Sequence, residues 1–545
     1  MKRFLILILC VITSANMYSQ NPGSWSGNLE TNVNLFLIDS LIGPFNVPQY
    51  DNQLVGGEAW LNLNYTRDDL RVGIRFDMYE NSNLKNPVES YSAEGIGRWF
   101  VKKSVGKLDF EVGYLYDQIG SGLIYRAYEQ RTLFIDNAMK GLSAKYNISN
   151  DWYIKGFGGR QKNAFDVYEG FIKGISTERF FVFGTEKPVS IVPGIGFVNR
   201  TFSDNTMDGI VSILQSYLEE DRFSPTYNTY AATFYNTLSY MGLTWYLEAA
   251  IKSDDVFYDS MAKRKLINGE YVEGKYVRRS GSVLYSSVSL ALGKLGLTLE
   301  GKRTKNFSFR VDPSLQLNRG LINYLPPMNR QNTYRLTSRY SPATQDVSEQ
   351  AFQVDAQYKI NKHWNVLVNF STINTLENET LYNEIYTQFQ YKKPGKIQVI
   401  GGVQVLEYNQ DVYEGKPGVE NVKAFVPFTD ILYKFNRHNS LRMEIQYMDT
   451  KQDFGSWFYS LAEYSIAPHW QFEGSVMYNT NPKKELSNGI KEKILYPTLG
   501  VIYSSGANRY SLRYVKQVEG IVCSGGICRL EPAFNGVRFN MSSNF

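Results

Sequence analysis

Three histidines, His363, His438 and His469, are the only imidazole side chains in the 545-residue sequence. An imidazole can act as a general base beside a serine or can bind zinc, but both roles need partner side chains within bonding distance. The three histidines are far apart along the chain, and each lies in a predicted short turn. The sequence also lacks the glycine-rich phosphate loop and the H-E-x-x-H zinc motif. We therefore expect no enzyme activity, no catalytic residue, no metal site and no cofactor.

The first residues of the chain have the pattern of a secretory signal peptide. A positively charged start precedes an apolar run at 4–12, and small and polar residues follow. A charged segment, an apolar segment and a cleavage region in this order direct export. We predict a signal peptide over residues 1–19 and a mature chain over residues 20–545.

Export changes the expectation for two cysteines near the C-terminus, Cys523 and Cys528. The third cysteine, Cys10, lies within the predicted signal peptide. Compartments outside the cytosol are oxidising, and a C-x4-C pair there can close a small loop. We predict a disulfide between Cys523 and Cys528, with two free thiols as the alternative.

The elements that position the polar residues are predicted strands with one apolar and one polar face. Apolar side chains occupy alternate positions in 70–78, 108–114, 352–360 and 441–447, with mostly polar side chains between them. Such alternation predicts strands that are apolar on one face. These strands have about 10–13 residues, the length that a tilted strand needs to cross a bilayer.

Short and long connections alternate between the predicted strands. Short turns include 67–69 and 105–107, whereas long loops include 117–140, 253–280 and 306–348. Turns at one end and long loops at the other are typical of outer-membrane barrels. We predict an all-β fold: a single transmembrane antiparallel β-barrel of about 24 strands (22–26), with short periplasmic turns and long extracellular loops.

Composition narrows the classes of function. The formal net charge of +5 gives no field strong enough to bind nucleic acid. A chain that is 43% hydrophobic and 20% charged agrees with strands that divide their faces between lipid and water. The alternation puts charged residues on inward faces, among them Arg71, Arg75, Arg509, Arg513, Arg538 and Glu248. Both charge signs occur among them, so we expect a polar lumen without strong ion selectivity.

Aromatic residues mark one predicted rim and the end of the chain. Trp152, Trp364 and Trp470 each begin a strand after a short turn. Amphipathic rings lie at the membrane surface in such barrels, so we predict a periplasmic aromatic girdle. The last strand, with Phe539 and a terminal Phe545, resembles the assembly signal of bacterial outer-membrane barrels. This resemblance implies barrel-insertion machinery as a partner during biogenesis, beside outer-membrane lipid.

The segment 117–131 interrupts the alternation. It contains a Gly-Ser-Gly sequence, and glycine allows a sharp turn or a close approach to another surface. We predict a loop that folds into the barrel and narrows it, with ordinary loop packing as the alternative. The charged residues that would form this lumen constriction are Asp117, Arg126, Glu129 and Arg131.

Three segments carry a resemblance to a known family: the opening strand at 25–31, the segment at 120–131 and the stretch at 136–141. On these segments, the chain resembles a family of Bacteroidota outer-membrane β-barrels catalogued as a domain of unknown function. The resemblance implies a barrel in the cell outer membrane. It implies no substrate and no catalytic residue.

Two functions are consistent with these patterns. The first is a porin-like channel for small hydrophilic solutes with a loop-constricted lumen, because the predicted lumen is polar and the first strand follows directly on the signal peptide. The alternative is a non-transporting, loop-plugged barrel, a subunit of an outer-membrane machine for protein insertion or secretion. Its motivation is the bulk of the outer loops, of which 306–348 is the longest, and it would have other outer-membrane proteins as partners.

Overall fold

The predicted strands close into a barrel. The computed structural model describes residues 23–43, 48–51, 53–87, 89–315, 319–344, 347–483, 493–524 and 527–545. Within these residues, one antiparallel sheet contains 25 segments, two of which form a single strand interrupted at Phe180. The first strand pairs with the last, so the described sheet is a closed barrel of 24 strands. The predicted fold class and strand number are confirmed.

The barrel strands follow one another around the wall in chain order. The first twelve are β1 (Ser24–Phe36), β2 (Val55–Arg67), β3 (Leu70–Ser82), β4 (Tyr91–Val105), β5 (Leu108–Leu115), β6 (Met139–Ser149), β7 (Trp152–Asn163), β8 (Asp166–Arg179 and Phe181–Phe183), β9 (Val189–Thr201), β10 (Asn228–Tyr240), β11 (Leu243–Lys265) and β12 (Tyr271–Leu292). The second twelve are β13 (Leu295–Lys305), β14 (Glu349–Lys359), β15 (Trp364–Thr375), β16 (Thr380–Lys393), β17 (Ile397–Tyr408), β18 (Val422–Lys434), β19 (Asn439–Thr450), β20 (Gly455–Ile466), β21 (Trp470–Pro482), β22 (Leu495–Ser505), β23 (Asn508–Gln517) and β24 (Phe534–Asn544).

The alternation along each strand decides which side chains face outward. Apolar side chains such as Leu35, Ile195, Phe352 and Ile445 are exposed on the outer surface of the wall. Their polar neighbours on the same strands, such as Asn34, point inward and are buried. An exposed apolar belt around a closed sheet is the architecture of outer-membrane barrels, because closure leaves no unpaired strand edge in lipid.

The two ends of the barrel differ in their connections. One end, here called the turn end, carries tight connections such as 68–69, 106–107 and 150–151. The opposite end, the loop end, carries the long segments 37–54, 116–138, 202–227, 306–348 and 518–533, together with short connections at 164–165, 376–379 and 451–454. The predicted alternation therefore holds at the turn end, whereas the loop end mixes long and short connections.

The segment 253–280 differs from the prediction of a loop. β11 and β12 continue as paired strands to Lys265 and Tyr271, joined by 266–270 at the tip. Polar and charged side chains occur on both faces of this extension, which obscures the period of two in the sequence. Beyond the barrel wall the extension meets water except where the helix at 204–215 packs on it, so neither face needs a continuous apolar pattern.

Helices are short and lie among the loops. They are α1 (Pro48–Asp51), α2 (Asp204–Gln215) and α3 (Gln410–Glu414), with 3-10 turns at Arg131–Leu133 and Glu219–Asp221. Ser203 caps α2 by accepting a hydrogen bond from the Thr206 amide at 3.1 Å. The apolar face of α2 packs on the extended hairpin through Met207, Ile210, Leu214, Val256 and Tyr276. Among the described residues, no helix has the length and apolar character needed to cross a membrane.

Candidate functional site in the barrel lumen

Two loop-end segments fold into the barrel instead of away from it. We call residues 116–138 the first inner loop and residues 306–348 the second inner loop. Leu123 and Ile124 of the first loop and Ile322 and Met328 of the second are almost completely buried. They belong to one apolar cluster with inward-facing wall residues such as Tyr382. A large part of the lumen is therefore occupied by packed side chains.

The two inner loops are joined to each other by backbone hydrogen bonds. The Arg126 amide donates to the Ile322 carbonyl at 2.8 Å, and the Tyr324 amide donates to the Gly122 carbonyl at 2.9 Å. The side chain of Asn137 also donates to the Leu321 carbonyl at 3.2 Å. Polar backbone groups buried together need such partners, so the loops satisfy one another and act as one body.

Glu248 on β11 anchors the first inner loop to the wall. Its carboxylate accepts hydrogen bonds from the amide and the hydroxyl of Ser121 at 2.8 and 2.6 Å. It also accepts from Thr233 at 2.9 Å and from Tyr246 at 2.5 Å. Gly120 has a φ of +56°, and a Cβ there would lie 2.6 Å from a carboxylate oxygen of Glu248. The glycine therefore permits both the turn and the close approach.

A second anchor is a buried ionic cluster around Arg75 of β3. The Arg75 guanidinium lies 2.6 Å from Asp77, 2.5 Å from Glu129 and 2.8 Å from Asp136. Lys162 of β7 also pairs with Asp136. Burial alone would raise the pKa of Asp136, but Lys162 and Arg75 outweigh it and lower that pKa below the ordinary value. The second half of the first inner loop is therefore held by two cations of the wall.

The four charged residues predicted to constrict the lumen all lie in the first inner loop, against the wall or the second loop. Glu129 is part of the Arg75 cluster. The other three have separate partners: Asp117 pairs with Lys155 at 2.6 Å, Arg126 lies 4.1 Å from the centre of the Tyr324 ring, and Arg131 pairs with Glu30 at 2.6 Å. Their effect on solute passage stays a prediction.

Wall side chains far away in the sequence hold the second inner loop. Lys302 of β13 pairs with Glu349 at 2.7 Å and also donates to the Pro326 carbonyl at 2.7 Å. Further contacts reach across to the later strands: Asn332 donates to Glu384 at 2.9 Å, Gln404 to the Thr337 carbonyl at 3.0 Å, and the Leu336 amide to Gln446 at 2.7 Å. The sequence contains no local signal for these contacts, which join residues up to 110 positions apart.

Two cavities lie beside the inner loops, where β23, β24 and β1–β4 form the wall. The upper cavity, about 650 Å³, reaches loop-end residues such as Leu84 and Pro532. The lower cavity, about 520 Å³, reaches Thr66 and Arg71 close to the turn end. Arg131 lines both cavities. Open space therefore occurs on one side of the lumen, near both ends of the wall.

Arginine dominates the charged lining of these cavities. The lower cavity is lined by Arg71, Arg75, Arg98 and Arg131, and its described lining contains no acidic residue. The upper cavity is lined by Arg131, Arg509, Arg513, Arg529 and Arg538, with Glu30, Glu58 and Glu531. The sequence pattern placed Arg71, Arg75, Arg509, Arg513 and Arg538 on inward faces. It missed Arg98 and Arg529, because Arg98 follows a break in the strand register and Arg529 lies in a loop.

The aromatic and terminal residues occupy the places that the sequence suggested. Trp152, Trp364 and Trp470 begin β7, β15 and β21 at the turn end, and their rings are exposed. Phe545 extends the closing ladder, because its amide donates to the Gly27 carbonyl at 3.0 Å and its carbonyl accepts from the Gly27 amide at 2.7 Å. Phe539 of β24 pairs with β1 in the same ladder. A membrane-surface role and an assembly role stay predictions.

Cys523 and Cys528 are paired in the backbone ladder of a small hairpin, whose residues Arg529 and Glu531 line the upper cavity. The strands Gly520–Ser524 and Ile527–Glu531 form this hairpin, and the ladder pairs the two cysteines directly. Directly opposed residues of an antiparallel pair have the Cα separation that a disulfide needs. The disulfide stays a prediction, since the side chains of 521–528 lie outside the described set. The predicted signal peptide, 1–19, lies outside the described residues.

The histidines connect neighbouring turns. The Nδ1 atom of His363 lies 2.9 Å from the Lys392 carbonyl, and that of His469 lies 2.7 Å from the Ser504 carbonyl. His438 has the same relation to Ala467 at 3.4 Å. In the part of the chain that the structure describes, no three His, Cys, Asp or Glu side chains are grouped to hold a metal ion.

Residues 1–545 match the model of a family described as "Family of unknown function (DUF6029)". The chain belongs to this family. No curated protein matches the sequence. The Bacteroidota origin stays a prediction from the resemblance.

Several solved barrels are similar to the chain at low identity. The ferric-catecholate import receptor Fiu from E. coli K12 has 8% identity and a TM-score of 0.38, with 96% of this chain and 82% of that chain covered. The ferric enterobactin receptor PfeA from Pseudomonas aeruginosa, as a mutant, has 8% identity and a TM-score of 0.41, with 96% and 80% covered. The P pilus usher PapC translocation pore has 9% identity and a TM-score of 0.37, with 96% and 99% covered. All are distant, and none assigns a function.

Proposed function

We propose that the protein is an outer-membrane channel that passes small hydrophilic solutes. The observation that carries the proposal is the pair of cavities along β23, β24 and β1–β4, which have many polar and charged residues and share Arg131 in their linings. Cavities of about 500–650 Å³ are within the range that holds small molecules. A wall with an apolar outer face and a polar inner face lets the barrel sit in lipid while a hydrophilic solute passes through its lumen.

In the proposed path, the first inner loop meets β1 at Arg131, the residue that both cavities share. Arg131 reaches from the loop to Glu30 at 2.6 Å, and Glu30 lines the upper cavity. The Arg131 guanidinium also lies 3.2 Å from Glu129 of its own loop. Solutes pass from the upper to the lower cavity at this ion pair, so the loop limits the size of what passes.

Conductance in planar bilayers tests the proposal. The purified protein should form channels. The double variant Arg131→Gln with Glu30→Gln should raise their conductance, because the ion pair no longer obstructs passage between the two cavities. Removing an ion pair outside the lumen, with Lys275→Gln and Asp221→Asn, is the matched control and should leave the conductance unchanged. A protein without channels, or a lumen variant that conducts like the control, contradicts the proposal.

The buried inner loops favour a second candidate. A lumen with this much packed material suits a plugged barrel that serves an insertion or secretion machine, with other outer-membrane proteins as partners. Isolation in mild detergent separates the two functions. A single chain that forms channels supports the first, whereas a chain without channels that co-purifies in fixed ratio with other membrane proteins supports the second.

A further inference from the structure

We infer that the solutes which this channel takes are small anions. This inference rests on the proposed function and adds the chemical class of the solute. It follows from arginine side chains that line the two cavities without an acidic partner. The sequence alone suggested a lumen of balanced charge. The preference for anions follows instead from where the structure places the charged side chains.

The lower cavity contains the clearest unpaired cations. Among the described residues, no carboxylate oxygen lies within 4.0 Å of the side chains of Arg71 or Arg98. The Arg98 guanidinium lies 4.6 Å from the centre of the Phe100 ring and 4.3 Å from that of Tyr116. Its Nε atom donates to the Tyr114 carbonyl at 3.3 Å. These contacts hold the guanidinium in place without neutralising its charge.

The upper cavity repeats this arrangement. Arg538 donates to the Asn34 side chain at 3.0 Å and lies 4.7 Å from the centre of the Phe534 ring. Arg529 donates to the Thr132 carbonyl at 3.2 Å. Within the described chain, neither guanidinium has a carboxylate oxygen within 4.0 Å. Glu58 and Glu531 attract both guanidinium groups only from beyond that distance.

The acids beside the upper cavity are outnumbered, because its described lining contains five arginines against Glu30, Glu58 and Glu531. Both carboxylate oxygens of Glu58 accept hydrogen bonds, one from Asn32 at 2.8 Å and one from Ser82. Glu30 is paired with Arg131, which itself belongs to the loop. The cavities therefore have an excess of fixed positive charge along the wall.

Such an excess selects anions for a physical reason. The barrel wall and the surrounding lipid have a low dielectric constant, so the field of fixed charges is concentrated in the water-filled space. At physiological ionic strength, charges are screened over about 8 Å, which is comparable with the width of a small cavity. An anion entering either cavity therefore stays within range of the arginines, and cations are repelled. Pores lined by arginine or lysine select anions in this way.

The zero-current potential in a KCl gradient tests the inference, with chloride as the probe anion. The wild-type channel should prefer chloride over potassium. Arg71→Gln and Arg529→Gln remove cations that have no acidic partner, so folding should tolerate both. Combining them should lower the chloride-to-potassium permeability ratio severalfold while channels still form.

The matched control is Arg303→Gln, which removes the same charge from an exposed position of β13 outside the two cavities. It should keep the wild-type ratio. Channels without a preference for chloride, or an equal loss in the control, overturn the inference and leave the proposed function intact. Failure of the wild-type protein to form any channel overturns the proposed function instead.

Discussion

The two sides of the lumen differ in how completely their charges are paired. On the filled side, formed by β9–β20 and the second inner loop, cations and anions are paired in buried contacts such as Arg200 with Asp255 at 2.6 Å and Lys302 with Glu349 at 2.7 Å. On the open side, formed by β23, β24 and β1–β4, several arginines face space without an acid. A chain of small net charge can therefore still present a strongly charged surface to a solute.

Buried pairing on the filled side explains the difference. A charge that is removed from water needs a partner of opposite sign and further hydrogen bonds. Each acid that holds a loop is consequently no longer available to balance an arginine elsewhere. Glu248, with four hydrogen-bond donors around it, is such an acid on the filled side. The loop contacts therefore hold the packed side chains in the lumen, and they also leave the excess positive charge on the open side.

Removing the second inner loop should give the largest effect. Replacing 307–347 with a short Gly-Ser connection between β13 and β14 takes away the packed material of the filled side. We expect single-channel conductance to rise severalfold, because the wall itself remains closed. Removing residues 260–274 from the tip of the extended hairpin is the control and should not change conductance. Equal conductance in both deletions would show that the two sides do not differ as described.

Arg75→Gln should have the next largest effect, because it leaves Asp77, Glu129 and Asp136 near one another with less positive charge. Breaking a buried ion pair in this way costs about 3–5 kcal/mol of stability. We expect a lower urea midpoint and more frequent current fluctuations as the first inner loop detaches. Arg71→Gln lies on the same face of the same strand and should change selectivity without changing the urea midpoint. Similar urea midpoints for the two variants would contradict the anchoring role of Arg75.

Acid should have the smallest effect, and only at low pH. The pKa of Asp136 is lowered in the folded protein, so its contribution to loop docking is complete above the ordinary aspartate value of about 3.9 and is lost as the pH falls through the lowered pKa. Conductance should therefore stay constant from neutral pH to about pH 4 and rise below it.

Asp136→Asn should conduct more than wild type at neutral pH and should respond less to acid. Asp166→Asn, at an exposed loop-end position, is the control and should follow the wild type. A rise in conductance that begins well above pH 4 would indicate that groups other than Asp136 govern the docking.

The barrel wall could be predicted from the sequence because its strands repeat the same alternation of apolar and polar residues. Alternation over the length of a bilayer gives the strand length, and the short turns give the strand order, so the pattern predicted a closed barrel of about 24 strands. The pattern failed at 253–280, where the strands extend beyond the barrel wall and need no continuous apolar face, since α2 covers only part of the hairpin. The Gly-Ser-Gly sequence at 120–122 also predicted a close approach, and the structure supplies its partner, Glu248.

The lumen was less predictable, because its contacts are formed by residues far apart in the sequence. No local pattern indicates that Arg131 meets Glu30 or that Gln446 receives the amide of Leu336. The composition also gives no indication of the excess positive charge on the open side. The totals of 58 Lys and Arg and 53 Asp and Glu count paired and unpaired charges alike. Only the spatial separation of the acids from Arg71 and Arg98 reveals the excess.

The hydrogen bonds between the two inner loops have a mechanical consequence. Each loop is covalently tethered to the wall at both ends, and each also shares backbone hydrogen bonds with the other, as between Arg126 and Ile322. The filling material can therefore shift within the barrel but cannot leave it as a separate domain would. A displacement of one loop strains the other, so the channel should switch between a few discrete current levels rather than widen gradually.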